Sequence, residues 1–391
     1  MNIERIETVV IGAGQAGLAA GYYLARQNRD FAILDAHDRA GDSWRKRWDS
    51  LRLFTAASFN RLPGRRFPAP SRGGSQTRPY FPTKDEMADY LEAYVARFEL
   101  PVQLGVRVDE LTRDGDRYLI AAGARRLEAD HVVVATGAYG TPRVPEFASE
   151  LDPAITQLHS VEYRNPGQLP DGPVLVVGAG NSGGEIAREL AATRPTWLAG
   201  RDTGYLPGNP ESFGYQVGAI VFRTVMNLLT VDTRLGRRMV RKARAFTGGH
   251  PLVRVKPKDL LEARVQRVPR VTGASRGQPV LEDGRVLDVA TVVWATGFVR
   301  DFRWIRLPVF DAKGDLASHG TPVHHRGVVQ AEPGLYFVGL PFQSSVLSGL
   351  VAGAGADARY IVKQIAMRAS AAGPAYAGRL AARQYQNYPG P

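Results

Sequence analysis

The 391-residue chain contains no cysteine. That excludes a structural disulfide, a thiolate metal site and a redox-active Cys-x-x-Cys pair, so electrons entering this protein have no internal disulfide to reduce. Long hydrophobic runs are missing as well. No apolar stretch approaches the ~18–20 residues that a membrane-crossing helix takes. The opening "MNIERIETVVIG" has acids where a secretion signal would be apolar, so a cytoplasmic protein without a transmembrane segment is expected.

What remains is an ordinary globular composition. Hydrophobic residues make up 44% and charged residues 23%, which excludes a disordered or fibrous chain. The length allows two domains with full cores. The formal charge of +12 would suit a nucleic-acid binder, but its distribution argues against one. Between residues 205 and 270 there are 13 Lys or Arg against 4 Asp or Glu, so most of the excess sits in one segment. Its densest part, "TRLGRRMVRKARAF", spaces Leu235, Met239, Val240, Ala243 and Phe246 at helical intervals, which predicts an amphipathic helix with a basic face. Such a face is solvated or attracts a polyanionic cofactor or acidic substrate. No nucleic acid is expected.

Two stretches carry the strongest signal. "VVIGAGQAGLAAGYYL" begins at Val9 and "VLVVGAGNSGGEIAREL" at Val174. Each starts with an apolar, β-branched run that reads as a buried parallel strand and ends in an Ala/Leu-rich helix. Between them lies Gly-x-Gly-x-x-Gly: Gly12, Gly14 and Gly17, with Gln15 and Ala16 inside the motif, then Gly178, Gly180 and Gly183, with Asn181 and Ser182 inside it. The first glycine makes a tight turn, the second lets backbone approach a pyrophosphate, and the third lets helix and strand pack closely. The phosphates then lie on the positive N-terminus of the helix. One copy is weak evidence; two copies 166 residues apart are strong.

The cradles differ in one charge. Asp35 lies 23 residues past Gly12 and Arg201 lies 23 past Gly178. A carboxylate there accepts hydrogen bonds from free ribose hydroxyls, whereas a guanidinium grips a ribose 2′-phosphate. The first cradle therefore suits the adenosine of FAD and the second suits NADPH. Each unit later repeats an apolar strand ending in Ala-Thr-Gly, with Ala135 and Gly137 in the first and Gly297 closing the second. This reads as an internal duplication. The fold class expected is α/β with two Rossmann-like dinucleotide-binding domains, the NADP domain inserted into the FAD domain. The expected limits are 1–144 for the first part of the FAD domain, 145–300 for the NADPH domain with a basic insertion at about 205–255, and 301–391 for the C-terminal part. Packed domains of this kind bring a hydride donor and acceptor together.

"GDSWRKRWDSLRLFT", "YFPTKDEMADYLEAYVARF", "LHSVEYRNP", "VVGAGNSGGEIA", "WATGF" and "GLYFVGLPFQ" together resemble the flavin-containing monooxygenases, nearest to bacterial members related to the plant-type indole-3-pyruvate monooxygenases. The likeness covers nearly the whole chain and is weakest across 205–255. It implies an NADPH-dependent FAD monooxygenase that inserts one oxygen atom from O2 into a small organic substrate through a flavin peroxide. It further implies no metal, and it allows a homodimer. In this resemblance Asn181 and Ser182 belong to the NADPH site, and His159 with Tyr163 matches part of a linker fingerprint whose earlier half is replaced by Pro153 and Ile155. Trp44 and Arg45 line the phosphate–ribityl channel, the Val106 backbone meets adenine, and Gln343 reaches the flavin ring. His159 and Gln343 are the catalytic candidates, with linker orientation and loop packing as their other readings. Where many animal-type members have an asparagine beside the flavin, Thr55 or a neighbour stands, and Asn60 lies further along. The long polar loop 65–83 reads as an active-site cover. Two other readings stay open: a flavin reductase or oxidase serving another acceptor, and a non-catalytic FAD/NADP-binding redox sensor.

Overall fold

The computed structural model describes residues 3–68, 80–137, 140–206, 218, 221, 224–226, 228–245, 251–311 and 322–371. Six strands open the chain: β1 (Glu4–Ile11), β2 (Phe31–Leu34), β3 (Val102–Gln103), β4 (Glu110–Asp114), β5 (Arg117–Ala122) and β6 (Arg125–Val134). They lie in the order β3-β2-β1-β6-β5-β4, parallel from β3 through β6 and antiparallel beyond it. The short β7 (Thr141–Pro142) leaves this unit. A second parallel sheet, ordered β11-β10-β9-β14-β8, is built from β8 (Thr156–His159), β9 (Val174–Val177), β10 (Thr196–Ala199), β11 (Gln266–Val268) and β14 (Thr291–Trp294). The hairpin β12 (Val271–Ser275) and β13 (Gln278–Leu281) projects beside it. Then β15 (Phe298–Val299) pairs with β7, and β16 (Leu335–Phe337) returns to the first sheet alongside β6. The second sheet is thus inserted between two strands of the first, as the duplicated pattern predicts.

Both sheets are parallel at the centre because their central strands are apolar on both faces. Val9, Val10, Leu175, Val176, Val292 and Val293 are wholly buried. Two helices follow the cradles, α1 (Gln15–Ala25) after β1 and, later, α4 (Asn181–Leu190) after β9. Between them lie the single turn α2 (Asp42–Arg45) and α3 (Lys84–Arg97), and beyond them α5 (Arg234–Ala245), α6 (Pro257–Glu262) and the long α7 (Val351–Ala371). One apolar cluster joins α1, α3 and α7 to Val174, Ile186 and Leu198 of the second unit, so the core is continuous across both. Its aromatic wall is Tyr22, Tyr94 and Phe98, where the Tyr94 and Phe98 rings meet edge-on with centroids 4.7 Å apart.

The basic helix forms as its spacing predicts, and its inward face matches the expected one in part. Gly236 and Val240 are buried while Leu235 is exposed. At Gly236 a Cβ would overlap the Thr230 carbonyl oxygen, so the first turn of the helix has room only for glycine there. Phe246 lies outside the described residues, as do positions 69–79 of the proposed cover loop and 207–217 of the insertion.

The first turn of α3 holds a reciprocal cap. Thr83 Oγ1 accepts from the Glu86 N–H at 3.2 Å, and Glu86 accepts the Thr83 N–H at 2.8 Å. Replacing Thr83 with Ala should lower the unfolding free energy by about 1 kcal/mol, and Thr83→Ser should restore most of it. Denaturant titration of the two variants checks this.

Candidate dinucleotide-binding sites

Each cradle is shaped by glycines that touch backbone. At Gly12 (φ +108°) a Cβ would stand 2.6 Å from the Ala135 carbonyl oxygen, and at Gly17 it would overlap the Gly12 carbonyl oxygen itself. The second cradle repeats this: a Cβ on Gly178 (φ +113°) would overlap the Ala295 carbonyl oxygen, and one on Gly183 the Gly178 carbonyl oxygen. The middle glycines differ in kind. Gly14 and Gly180 cap α1 and α4 with nothing within 4 Å of a Cβ position, so their faces are open to a ligand. Neither helix carries an acid in its first turn or a side-chain cap. The N–H groups around Gln15, Ala16, Asn181 and Ser182 thus retain the positive end of each helix for an anion. This donor set fits the diphosphate of a dinucleotide in both places.

The candidates for ribose recognition stand at the ends of β2 and β10. Asp35 Oδ2 accepts the Ala13 N–H at 2.6 Å, while Oδ1 accepts the His37 N–H at 2.8 Å and meets His37 Nδ1 at 2.8 Å. Burial pushes its pKa up, but these bonds outweigh it and hold the carboxyl below its usual range, so it is ionised. The Val106 N–H donates to the Asp35 carbonyl at 2.8 Å, which sets the Val106 backbone beside the cradle acid. At the matching place Arg201 is exposed after Gly200 (φ +141°), and no ion pair involves it among the described residues. Gly137 and Gly297, both at positive φ, end the Ala-Thr-Gly turns beside the two cradles.

Several expected ligands are engaged elsewhere. Arg45 Nη2 bonds Asp89 at 2.9 Å and Glu92 at 2.6 Å, so its charge clips α2 to α3 instead of standing free for a phosphate. Trp44 packs on the main core. The Asn181 amide pins the chain at 251–253, donating to the Pro251 carbonyl at 3.0 Å and accepting the Val253 N–H at 3.0 Å. The surroundings of the two catalytic candidates favour their other readings, linker orientation and loop packing. His159 is buried, with Nε2 donating to the Gly297 carbonyl at 3.0 Å and Nδ1 accepting the Val161 N–H at 3.3 Å. Burial lowers its pKa, with the Gly297 bond opposing, so the ring is a neutral clasp on the second Ala-Thr-Gly turn. Tyr163 completes the fingerprint by donating to Glu189 of α4 at 2.8 Å. Gln343 accepts the Leu340 N–H and donates to the Arg326 carbonyl, each at 3.2 Å, which engages both ends of its amide between its own turn and the segment ahead of β16. Thr55 and Asn60, five residues apart, come together: Thr55 Oγ1 donates to Asn60 Oδ1 at 2.6 Å, and the Asn60 amide donates to the Thr55 carbonyl at 2.8 Å.

The joint between the two units adds residues that sequence patterns do not reveal. The Asp49 N–H donates to the Arg164 carbonyl at 2.8 Å, Arg164 returns to the Lys46 carbonyl at 2.6 Å, and Asn165 donates to Asp49 Oδ2 at 2.7 Å. Arg254 spans the same joint, touching Glu185 of α4 at 3.4 Å, the Arg52 carbonyl at 3.3 Å and the face of Phe81. Burial raises Glu185 to about 7, with Arg254 and Arg188 opposing the rise. Only the pairing of distant segments brings these groups together, so no local spacing signals them. Among the described residues no helix is long and apolar enough to cross a membrane.

Known proteins share this arrangement. Residues 9–201 match the model of the pyridine nucleotide-disulphide oxidoreductase family. The chain is 38% identical to the Bacillus subtilis oxidoreductase CzcO, an alignment covering 92% of this chain and 99% of that protein. It is 29% identical to the rice indole-3-pyruvate monooxygenase YUCCA1, over 93% of each. Among solved structures it is similar to a flavin-containing monooxygenase from Stenotrophomonas maltophilia, with a TM-score of 0.73 and 26% identity over 94% of this chain and 99% of that one.

Two outcomes are expected. Gly183→Ala forces a methyl into the Gly178 carbonyl and should remove pyridine-nucleotide binding while the protein stays yellow with FAD; titration of the holoprotein with NADPH reads this. For Glu185, the folded state keeps a proton that the unfolded chain releases near pH ~4.3. Stability should therefore fall as pH rises from that value through about 7. Glu185→Gln should flatten this slope in denaturant unfolding measured across the same pH range.

Proposed function

The chain belongs to the flavin-containing monooxygenase family of oxidoreductases, and from that premise we propose that it is an NADPH-dependent monooxygenase acting with O2 on a small organic substrate. The family's cofactors are FAD and a nicotinamide nucleotide, and the two cradles fit them. One observation carries the reading: the cradles match in backbone shape but end in opposite charges, Asp35 and Arg201, in a chain with no cysteine to receive electrons. Bound FAD and NADPH supply the hydride and oxygen chemistry.

The protein's own residues bind, orient and seal. Gly12, Gly14 and Gly17 seat one diphosphate, and the ionised Asp35 holds the adjoining ribose through its hydroxyls. Gly178, Gly180 and Gly183 seat the other, and Arg201 selects the 2′-phosphorylated ribose. His159 and Tyr163 hold the second unit's turn and helix in place from the linker, so their role is positioning. Arg164, Asn165 and Arg254 tie that unit to the 46–52 segment of the first. A fixed joint of this kind sets the relative placement of two rings that must meet, and hydride transfer depends steeply on that placement.

Arg201→Ala should weaken NADPH binding by about tenfold to a hundredfold, the range for a lost charge-assisted contact, and leave NADH binding and FAD content unchanged. Equal loss for both nucleotides would mean that Arg201 does not read the 2′-phosphate. Turnover is read by comparing NADPH consumed with peroxide released over a panel of amines, thioethers and 2-oxo acids. A substrate that suppresses peroxide release while its oxygenated product accumulates marks a monooxygenase. NADPH consumption that no panel member couples to product marks a reductase or oxidase.

A further inference from the structure

β11 places a second arginine against the turn that carries Arg201. Its parallel register sets Arg267 opposite Leu198 on β10, two residues ahead of Gly200. From there Arg267 Nη2 donates to the Gly200 carbonyl oxygen at 3.1 Å. Gly200 is itself pressed onto the second cradle: a Cβ on it would stand 2.9 Å from the Ala179 nitrogen and 3.6 Å from the Gly178 Cα. The Arg267 guanidinium is thereby anchored next to the phosphate-binding turn, beside the residue whose side chain reads the ribose.

Charge decides what such an arrangement is for. One bond to Gly200 uses one of the five guanidinium N–H donors and leaves the others available. Neither Arg201 nor Arg267 forms an ion pair among the described residues, and partial burial lowers the Arg267 pKa, with Asp202 offsetting only part of that. Asp202 follows Arg201 on the same turn and accepts the Gly204 N–H at 2.8 Å. Arg201 and Asp202 alone would leave this turn electrically neutral, a poor place for a dianion. Arg267 tips it positive. A phosphate monoester also presents three terminal oxygens, of which one bidentate guanidinium satisfies two.

We propose that Arg267 is a specificity-determining residue of the second dinucleotide site, forming with Arg201 a two-guanidinium clamp for a ribose 2′-phosphate. The inference rests on the reading of that site as the NADPH cradle and extends it to a residue on a neighbouring strand.

Calorimetric titration of the FAD-loaded protein with 2′-phospho-ADP-ribose and with ADP-ribose tests it, since the two probes differ only in the phosphate. The parent protein should prefer the phosphorylated probe. Arg267→Ala should weaken that probe by about tenfold or more and leave ADP-ribose unchanged. Arg267→Gln, which keeps a side-chain N–H for the Gly200 carbonyl, should lose the preference equally, separating charge from support of the turn. Unchanged affinity of both variants for 2′-phospho-ADP-ribose would overturn the clamp. So would equal weakening of both probes, or a loss confined to Ala and rescued by Gln, because each points to a role in holding the turn. A parent protein that binds neither probe would instead overturn the cradle reading beneath it.

Discussion

The structure depends on a backbone approach that only glycine permits, made twice. Gly17 over the Gly12 carbonyl and Gly183 over the Gly178 carbonyl bring a helix start so close to a strand end that any side chain would overlap an oxygen. This contact aims each helix N-terminus into the space above its sheet and leaves the capping glycines, Gly14 and Gly180, open toward it. The apolar central strands have a separate cause. Crossover connections cover both faces of a parallel sheet, so its central strands are apolar throughout. The two units are therefore the same solution to the same steric problem, and they differ in charge at the ends of β2 and β10, Asp35 against Arg201.

Between the units the forces are different. The shared apolar cluster supplies bulk cohesion, and polar contacts add orientation: Arg164 on the Lys46 carbonyl, Asn165 on Asp49, and the Asp49 N–H on the Arg164 carbonyl. β7 and β15, the two chain crossings, pair with each other, so entry into and exit from the inserted unit form a single strap. The Thr296 hydroxyl bonds the Arg143 carbonyl and reinforces it. Glu185 and Arg254 lie at the same joint as a charge pair between α4 and the Arg52–Phe81 side. Its ionisation is sensitive to burial because the carboxyl is largely removed from water, and Arg254 and Arg188 offset only part of that.

Local pattern and distant pairing divided the work between them. The glycine spacing, the apolar runs and the charge at offset 23 made both cradles and the inserted topology legible, because each is a property of a few dozen contiguous residues. The expectations that shifted concern side-chain direction. Arg45 was expected to line a cofactor channel, but two acids of α3, more than 40 residues away, claim its guanidinium. Gln343 ties its turn to the segment ahead of β16, where the Gly327 backbone lies against its amide. His159 bonds the Gly297 carbonyl, 138 residues on, which makes it a clasp on that turn.

The sequence by itself determined the two dinucleotide folds, their order along the chain and the opposite charges that distinguish them, since hydrophobic period, glycine placement and a fixed offset are local quantities. Only the tertiary structure decided which polar groups remain free for a ligand. Hydrogen bonds and ion pairs are short-ranged and are won by whichever partner the fold brings within about 3 Å. Arg267 stands beside Arg201 for that reason alone: strand pairing carries it across 66 residues to the same turn.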